Sequence, residues 1–201
     1  MKDVLRVSLT LLLLLNVGCS GGDDCGSFKE QFVDIEGLTG ANVALGGSYS
    51  NFVELGEGAT VAYTEFGIRA MPETTYRSET AEVSGGFQAF ACSPPAPQPS
   101  EEIADIAVFS SSPYAQASSS KVFAAGDTLN SIIKIYEPYS GRIVGLPDLF
   151  MDENLMASDY PFTLQLVSEP REAAEHQFTV HYRLTNGEFY QFTTDAITIT
   201  P

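Results

Sequence analysis

Three cysteines, two histidines and 26 carboxylic acids are the residues through which this 201-residue chain could do chemistry, and their spacing gives a definite role to one of them. Cys19 follows a basic start at Lys2 and Arg6, an apolar run from Val7 to Val17 that holds Leu11 to Leu15, and the small residue Gly18. A run of roughly 11 apolar residues is too short to span a bilayer, which takes about 20. It has the form of an export signal. A lipoprotein signal peptidase requires a small residue directly before a cysteine whose thiol already carries a diacylglycerol. Residues 1–18 therefore read as a cleaved signal peptide, and Cys19 as the lipidated first residue of the mature chain. Two or three acyl chains would anchor it, each buried methylene contributing about 0.8 kcal/mol. Asn16 stands where such signals usually carry Leu, and the competing reading is an ordinary secretion signal that ends near a cysteine.

Cys25 and Cys92 remain as an even pair in an oxidising compartment, which suggests a disulfide. Joining them would close a loop of roughly 65 residues and stabilise the fold by about 4 kcal/mol in the chain-entropy model. Two free buried thiols are the alternative. A metal pair is not expected, because neither cysteine has a second cysteine or a histidine at ligand spacing. His176 and His181 are an odd number of residues apart, which sends them to opposite faces of a regular strand and prevents a shared metal ion. Neither a G-x-S-x-G elbow nor an H-E-x-x-H helix occurs. Gly56-Glu57-Gly58-Ala59-Thr60 has the opening of a phosphate loop without its third glycine or its lysine, and reads as a hairpin loop.

Carboxylates need a separate test, since glycoside hydrolysis takes only two acids at a suitable separation. Glu101, Glu102 and Asp105 begin one strand, and Asp148, Asp152 and Glu153 surround a possible short helix. Among 26 acids such neighbours arise by chance, and the D-x-D-x-D-G run of a calcium loop is absent. Catalytic residues, cofactors and metals are therefore expected to be none. A carboxylate-based hydrolase is the enzyme alternative, and two facing acids in a cleft would be its mark.

Formal net charge is −16 with only ten basic residues, and loss of residues 1–18 makes the chain one unit more negative. Nucleic acid is excluded as a partner by that balance, because phosphate backbones are bound through clusters of Lys and Arg. The elements that must position any site are strands. β-branched and aromatic residues alternate with polar ones between Gly, Pro, Ser and Asn clusters, which predicts strands over Phe32–Leu38, Ala59–Met71, Gly86–Cys92, Ile103–Ser110, Ser131–Glu137, Phe162–Ser168, Gln177–Thr185, Glu188–Thr194 and Ala196–Thr200. Pro72 is expected to stop the second. Pro147–Ala157 is the best helix candidate. The proline-rich 93–100 is expected to be a stiff, extended crossover, and the serine-rich 110–120 a mobile surface loop.

The last hairpin permits a finer reading. A two-residue turn at Asn186-Gly187 would set Leu184 opposite Phe189 and put apolar groups on both faces. A three-residue loop with Gly187 in the left-handed position instead pairs Tyr182 with Tyr190 and Val180 with Phe192, gathering Phe178, Val180, Tyr182, Tyr190 and Phe192 on one face. Register follows burial, so the bulged turn is expected. Tyr114, Tyr136, Tyr139 and Tyr160 fall in or near loops and are the candidate ligand-binding aromatics. Their alternative is to cover core edges with hydroxyls in water.

Ser20-Gly21-Gly22-Asp23-Asp24 resembles the acidic tether of surface-exposed lipoproteins of Bacteroidota. The stretches Ala89-Phe-Ala-Cys-Ser-Pro-Pro, Ala125-Gly-Asp-Thr-Leu-Asn, Phe162-Thr-Leu-Gln-Leu and Gln177-Phe-Thr-Val, with the Cys25-Gly26 start, resemble a family of uncharacterised Bacteroidota lipoproteins. That likeness implies location and fold, and no active site. The expected organisation is a signal peptide over 1–18, a lipidated flexible acidic tether over 19–27, and a single domain over 28–201. The expected fold is all-β, an immunoglobulin-like sandwich of about nine strands with at most one short helix. The expected role is a non-enzymatic binding or structural module on the outer membrane, at the cell surface or the periplasmic face. Another envelope protein or a glycan would be its partner, and a fimbria-like subunit donating Ala196–Thr200 is a further alternative.

Overall fold

The computed structural model describes residues 30–48, 51–78, 96–137, 142–150, 155–157 and 159–201. Cys19, Cys25, Cys92, Tyr139, and the strand expected over Gly86–Cys92 lie outside them. The chain divides into two compact units. One is Met1–Glu30 with Glu79–Ala96, of which only Glu30 and Ala96 are described. The other, Gln31–Ser78 with Pro97–Pro201, contains every element below.

In chain order the strands are β1 (Gln31–Ser48), β2 (Asn51–Glu54), β3 (Thr60–Ala62), β4 (Phe66–Ser78), β5 (Gln98–Pro99), β6 (Glu102–Ser110), β7 (Tyr114–Ala115) and β8 (Val122–Phe123). They continue as β9 (Ile133–Glu137), β10 (Arg142–Gly145), β11 (Leu155–Met156), β12 (Phe162–Leu166), β13 (Ala174–His176), β14 (Phe178–Leu184), β15 (Phe189–Thr193) and β16 (Ile197–Thr200). No α-helix occurs among the described residues; short 3-10 turns at Asn130–Ile132 and Leu146–Phe150 take their place. The fold is an all-β sandwich. A large sheet of order β10-β9-β12-β4-β1-β2, with β5 alongside β1, faces a small sheet of order β11-β6-β14-β15. A third sheet, β13-β16-β3, joins the same core.

The period-2 burial that defines a strand with one wet face explains the pairing. In β14 the pattern is strict: Phe178, Val180, Tyr182 and Leu184 are buried, and Thr179, His181 and Arg183 are not. Phe178 stacks on Phe66 of the large sheet at 5.1 Å, and Tyr182 on Phe162 at 6.1 Å. Ring pairs of this kind add about 0.5–1.5 kcal/mol beyond area burial. The sheets approach so closely at Gly40 that a Cβ there would lie 2.4 Å from the Phe192 ring and 2.5 Å from the Arg69 carbonyl oxygen. The final hairpin has the register expected from burial, Val180 opposite Phe192 and Tyr182 opposite Tyr190. Gly187 takes φ +96° and its N–H donates to the Leu184 carbonyl at 3.1 Å.

Several expectations need correction. Pro72 does not stop its strand: β4 runs on to Ser78, with Pro72 opposite Leu38. β12 pairs with β4 only up to Ala70, so Pro72 occupies a sheet edge, where a missing N–H leaves no described ladder partner unsatisfied. Ala59–Met71 is not one strand. The chain turns at 63–65, and β3 and β4 enter different sheets, β3 running parallel to β16. Gly56–Thr60 is a connecting loop rather than a hairpin, because β2 pairs with β1 and β3 with β16. Of the expected helix, Leu146–Phe150 is a 3-10 turn and Leu155–Met156 is a strand. The crossover is extended where described, Gln98–Pro99 pairing parallel with Phe32–Val33.

Candidate functional site

The tyrosines singled out by loop position do not converge. Tyr114 is 1% exposed and its hydroxyl donates to the Ser168 carbonyl, so it belongs to the core and not to a binding rim. The serine-rich segment around it is tied down accordingly. Gln116 Nε2 donates to Ser168 Oγ at 2.9 Å, Ala117 N–H to the Glu169 carbonyl at 2.9 Å, and Arg171 N–H to the Ala115 carbonyl at 2.8 Å. The buried Tyr114 thus anchors the first part of the segment, while residues 117–121 are exposed. Tyr136 is half-buried in β9, opposite Ile143 and Thr163, and Tyr160 is 48% exposed.

The two histidines also stay apart. His176 is 1% exposed; its Nδ1 lies 2.8 Å from Ser110 Oγ, while its Nε2 is buried with no hydrogen-bond partner among the described residues. Tyr114 and Phe178 flank its ring at 5.5 and 5.7 Å. Burial pushes its pKa below the ordinary histidine value. His181 lies on the outer face of the small sheet, its ring between Phe109 at 4.6 Å and Phe189 at 4.9 Å. No group of three or more metal-ligating side chains forms among the described residues.

What the fold does assemble is an open polar groove of about 770 Å³. β1 supplies Asp34 and Glu36, β4 Arg77, the segment into β6 Ser100, Glu101 and Glu102, and the last hairpin Asn186, Glu188 and Tyr190. Among the described residues five carboxylates face one guanidinium, a formal excess of four negative charges. Each anchoring contact is specific. Glu101 Oε2 accepts the Ile35 N–H at 2.8 Å, and its Oε1 accepts Asn186 Nδ2 at 2.7 Å, so one side chain ties the large sheet to the hairpin turn. Arg77 meets both oxygens of Asp34, Nε to Oδ2 at 3.3 Å and Nη2 to Oδ1 at 3.3 Å. Ser100 Oγ lies 2.6 Å from Asp34 Oδ1, and Thr75 Oγ1 donates to Glu36 Oε1 at 2.9 Å.

Tyr190 links the two sheets. Its hydroxyl lies 2.8 Å from the Ile35 carbonyl and 2.9 Å from Glu188 Oε2, one proton serving two acceptors. Its pKa is pushed up to about 12, first by desolvation, then by Glu188, with Glu101 and Glu36 adding to it. Sequence reasoning picked out Glu101 and Glu102 and missed the rest. Asp105, grouped with them by sequence, faces outward near Arg183 at 3.9 Å. Asp148 lies on the Leu146–Phe150 turn, and Asp152 and Glu153 are outside the described residues. Arg77, Glu188 and Tyr190 carried no signal, since each becomes part of the groove only through strand pairing.

No family model matches the chain, and no curated protein does. Among solved structures, the chain is similar to the C-terminal domain of the Streptococcus agalactiae AgI/II polypeptide BspA, at 10% identity and a TM-score of 0.28 over 81% of this chain and 50% of that one. It is also similar to the C-terminal domain of the Streptococcus pyogenes antigen I/II-family protein AspA, at 9% identity and a TM-score of 0.26 over 83% of this chain and 47% of that one. The chain thus spans about half the length of these structures. No residue role transfers from them.

Proposed function

We propose that this protein is a lipid-anchored outer-membrane module, of the kind found in Bacteroidota, that binds an envelope protein or a glycan at the cell surface through its acidic groove and performs no catalysis. The Gly18-Cys19 junction after a short apolar run supports the anchor. One observation carries the binding role: Glu101, the central carboxylate of the groove, uses both oxygens to hold the Ile35 N–H and Asn186 together. A carboxylate fixed in this way shapes a recognition surface, whereas an acid catalyst needs an oxygen free for the transferring proton.

A competing reading as a carboxylate hydrolase draws on the same place, because Glu36 and Glu188 enter one groove from different segments. A glycan array and an envelope-protein pull-down with the full chain, followed by amide shift mapping of each ligand found, separate the two. Binding mapped to Glu36, Glu101, Asn186 and Glu188 without turnover supports the module. Hydrolysis abolished by Glu36→Gln or Glu188→Gln would replace it with the enzyme. Intact mass of the mature chain tests the anchor, with two or three acyl chains expected on Cys19. Donation of the last strand finds no support: β16 lies between β13 and β3, and Ile197 and Ile199 are fully buried.

A further inference from the structure

β15 ends the small sheet, and among the described residues no strand pairs with its outer side. Its ladder to β14 is framed by Leu184 N–H donating to the Glu188 carbonyl at 2.9 Å and Thr194 N–H to the Phe178 carbonyl at 2.8 Å. Antiparallel ladders alternate hydrogen-bonded and non-bonded pairs. With Tyr182 opposite Tyr190 and Val180 opposite Phe192, those two pairs complete the bonded set. The N–H and C=O groups of Phe189, Gln191 and Thr193 therefore point away from β14, and all three residues are exposed.

Natural edges are blunted by charge, proline or a bulge. β15 reads Phe-Tyr-Gln-Phe-Thr, with no charge and no proline, and its register with β14 is unbroken. Beside it the Phe109–His181–Phe189 ring contacts form an aromatic shelf. Charge selects the occupant. Glu188 directly precedes the strand, Asp195 follows two residues after its end, and Glu188 and Tyr190 also line the groove. A second copy pairing antiparallel about Gln191 would set Glu188 of each chain opposite Thr194 of the other, one residue from its Asp195, so like charges gather at both ends and disfavour self-association. A strand with basic ends meets the opposite field.

We propose that β15 is a docking edge for an extended basic segment of a partner protein, which adds as the next strand of the small sheet and places a Lys or Arg in the acidic groove. This rests on the reading of the groove as a binding surface, and main-chain pairing supplies what the groove alone lacks.

The test uses the 15N-labelled full chain with two synthetic probes, acetyl-Lys-Thr-Val-Thr-Val-Thr-Lys-amide and its counterpart with Glu at both ends. In the free chain the amides of Phe189, Gln191 and Thr193 exchange freely, and saturation with the Lys-ended peptide slows them at least tenfold. Gln191→Pro removes one outward N–H and lowers affinity tenfold or more. Gln191→Lys, which places no restriction on φ, does the same by repulsion. Protection of these amides without peptide, equal binding of the Glu-ended peptide, or unchanged affinity in both variants overturns the proposal. Shifts at Glu36, Glu101 and Asn186 without protection of β15 would overturn the docking edge and leave the groove reading standing. No response at either place removes both.

Discussion

The corner at Ser110 and His176 and the groove at Asp34 and Glu188 are both polar clusters beside one sandwich, and they treat charge in opposite ways. The groove is open, and Asp34, Glu36, Glu101 and Glu188 are met by Arg77, a backbone N–H, hydroxyls and an amide. The corner is closed: His176 has Ser110 as its hydrogen-bond partner, rings of Tyr114 and Phe178 beside it, Ile197 across the ladder, and one nitrogen with no partner among the described residues. A buried polar atom without a partner costs on the order of 1–3 kcal/mol, whereas solvated charges cost little. The buried rings of Tyr114 and Phe178 must offset that cost in the corner, whereas the groove leaves its charges in water.

The largest expected effect lies in the closed corner. Phe178→Ala removes a fully buried ring that stacks on Phe66 and flanks His176, and a change of this type costs about 3–5 kcal/mol. Glu188→Gln, in the open groove, is expected to move stability by less than about 0.5 kcal/mol. Urea unfolding midpoints of the two variants measure the contrast, and similar losses in both would erase it.

Acid sharpens the same comparison. The native pKa of His176 lies below its unfolded value because burial opposes the charged ring. The unfolded chain then binds the proton more readily, so the effect is absent well above pH 6.5 and grows as pH falls below that value toward the lower native pKa. The slope is bounded by about 1.4 kcal/mol per pH unit, the value for one proton taken up by the unfolded state alone. Among the described residues the ring meets Ser110 on β6, Tyr114 on β7, Phe178 on β14 and Ile197 on β16, burial and not a charged neighbour sets its shift, and Glu169 acts on Tyr114. Unfolding free energy measured between pH 7.5 and 5 should fall in the wild type and fall less in His176→Gln. Parallel curves would show that another group controls the acid response.

How far each region could be read from sequence follows from how local its determinants are. The β14–β15 register was legible because one turn and the parity of apolar residues decide it, and Gly187 marks the turn. Strand existence was legible for β6, β9, β12 and β16 for the same reason. Pro72 misled because a proline excludes a central position and not an edge, and which part of β4 is an edge depends on where β12 ends. Tyr114 misled because polar neighbours hide a ring whose burial is decided by Ser168, over fifty residues away. The groove was illegible as a whole: Asp34, Arg77, Glu101 and Glu188 come from four segments, and only sheet pairing makes them neighbours.

Within the groove a smaller effect separates shape from charge. Tyr190→Phe keeps the ring and removes the hydroxyl that reaches the Ile35 carbonyl and Glu188. The expected loss is about 1 kcal/mol, that of one hydrogen bond with part of its surroundings open to water. Alkaline absorbance titration offers an independent check, since the transition at about 12 should disappear with this variant.

Only a small effect on stability is expected at Arg77, and its value lies in what it does to the field. Its pairing with Asp34 is geometrically good, both oxygens lying at 3.3 Å, yet the Arg77 side chain is 64% exposed. Exposed ion pairs contribute about 0–1 kcal/mol because water and salt screen them. Arg77→Gln should therefore unfold within about 1 kcal/mol of the wild type. The substitution also removes the one cation lining the groove among the described residues and releases Asp34, so affinity for a cationic peptide should rise, and rise more at 10 mM salt than at 150 mM, where the Debye length falls from about 30 to about 8 Å. Binding isotherms at the two salt concentrations measure this. An unchanged affinity at low salt would mean that the groove does not govern recognition, and would shift attention to the uncharged edge of β15.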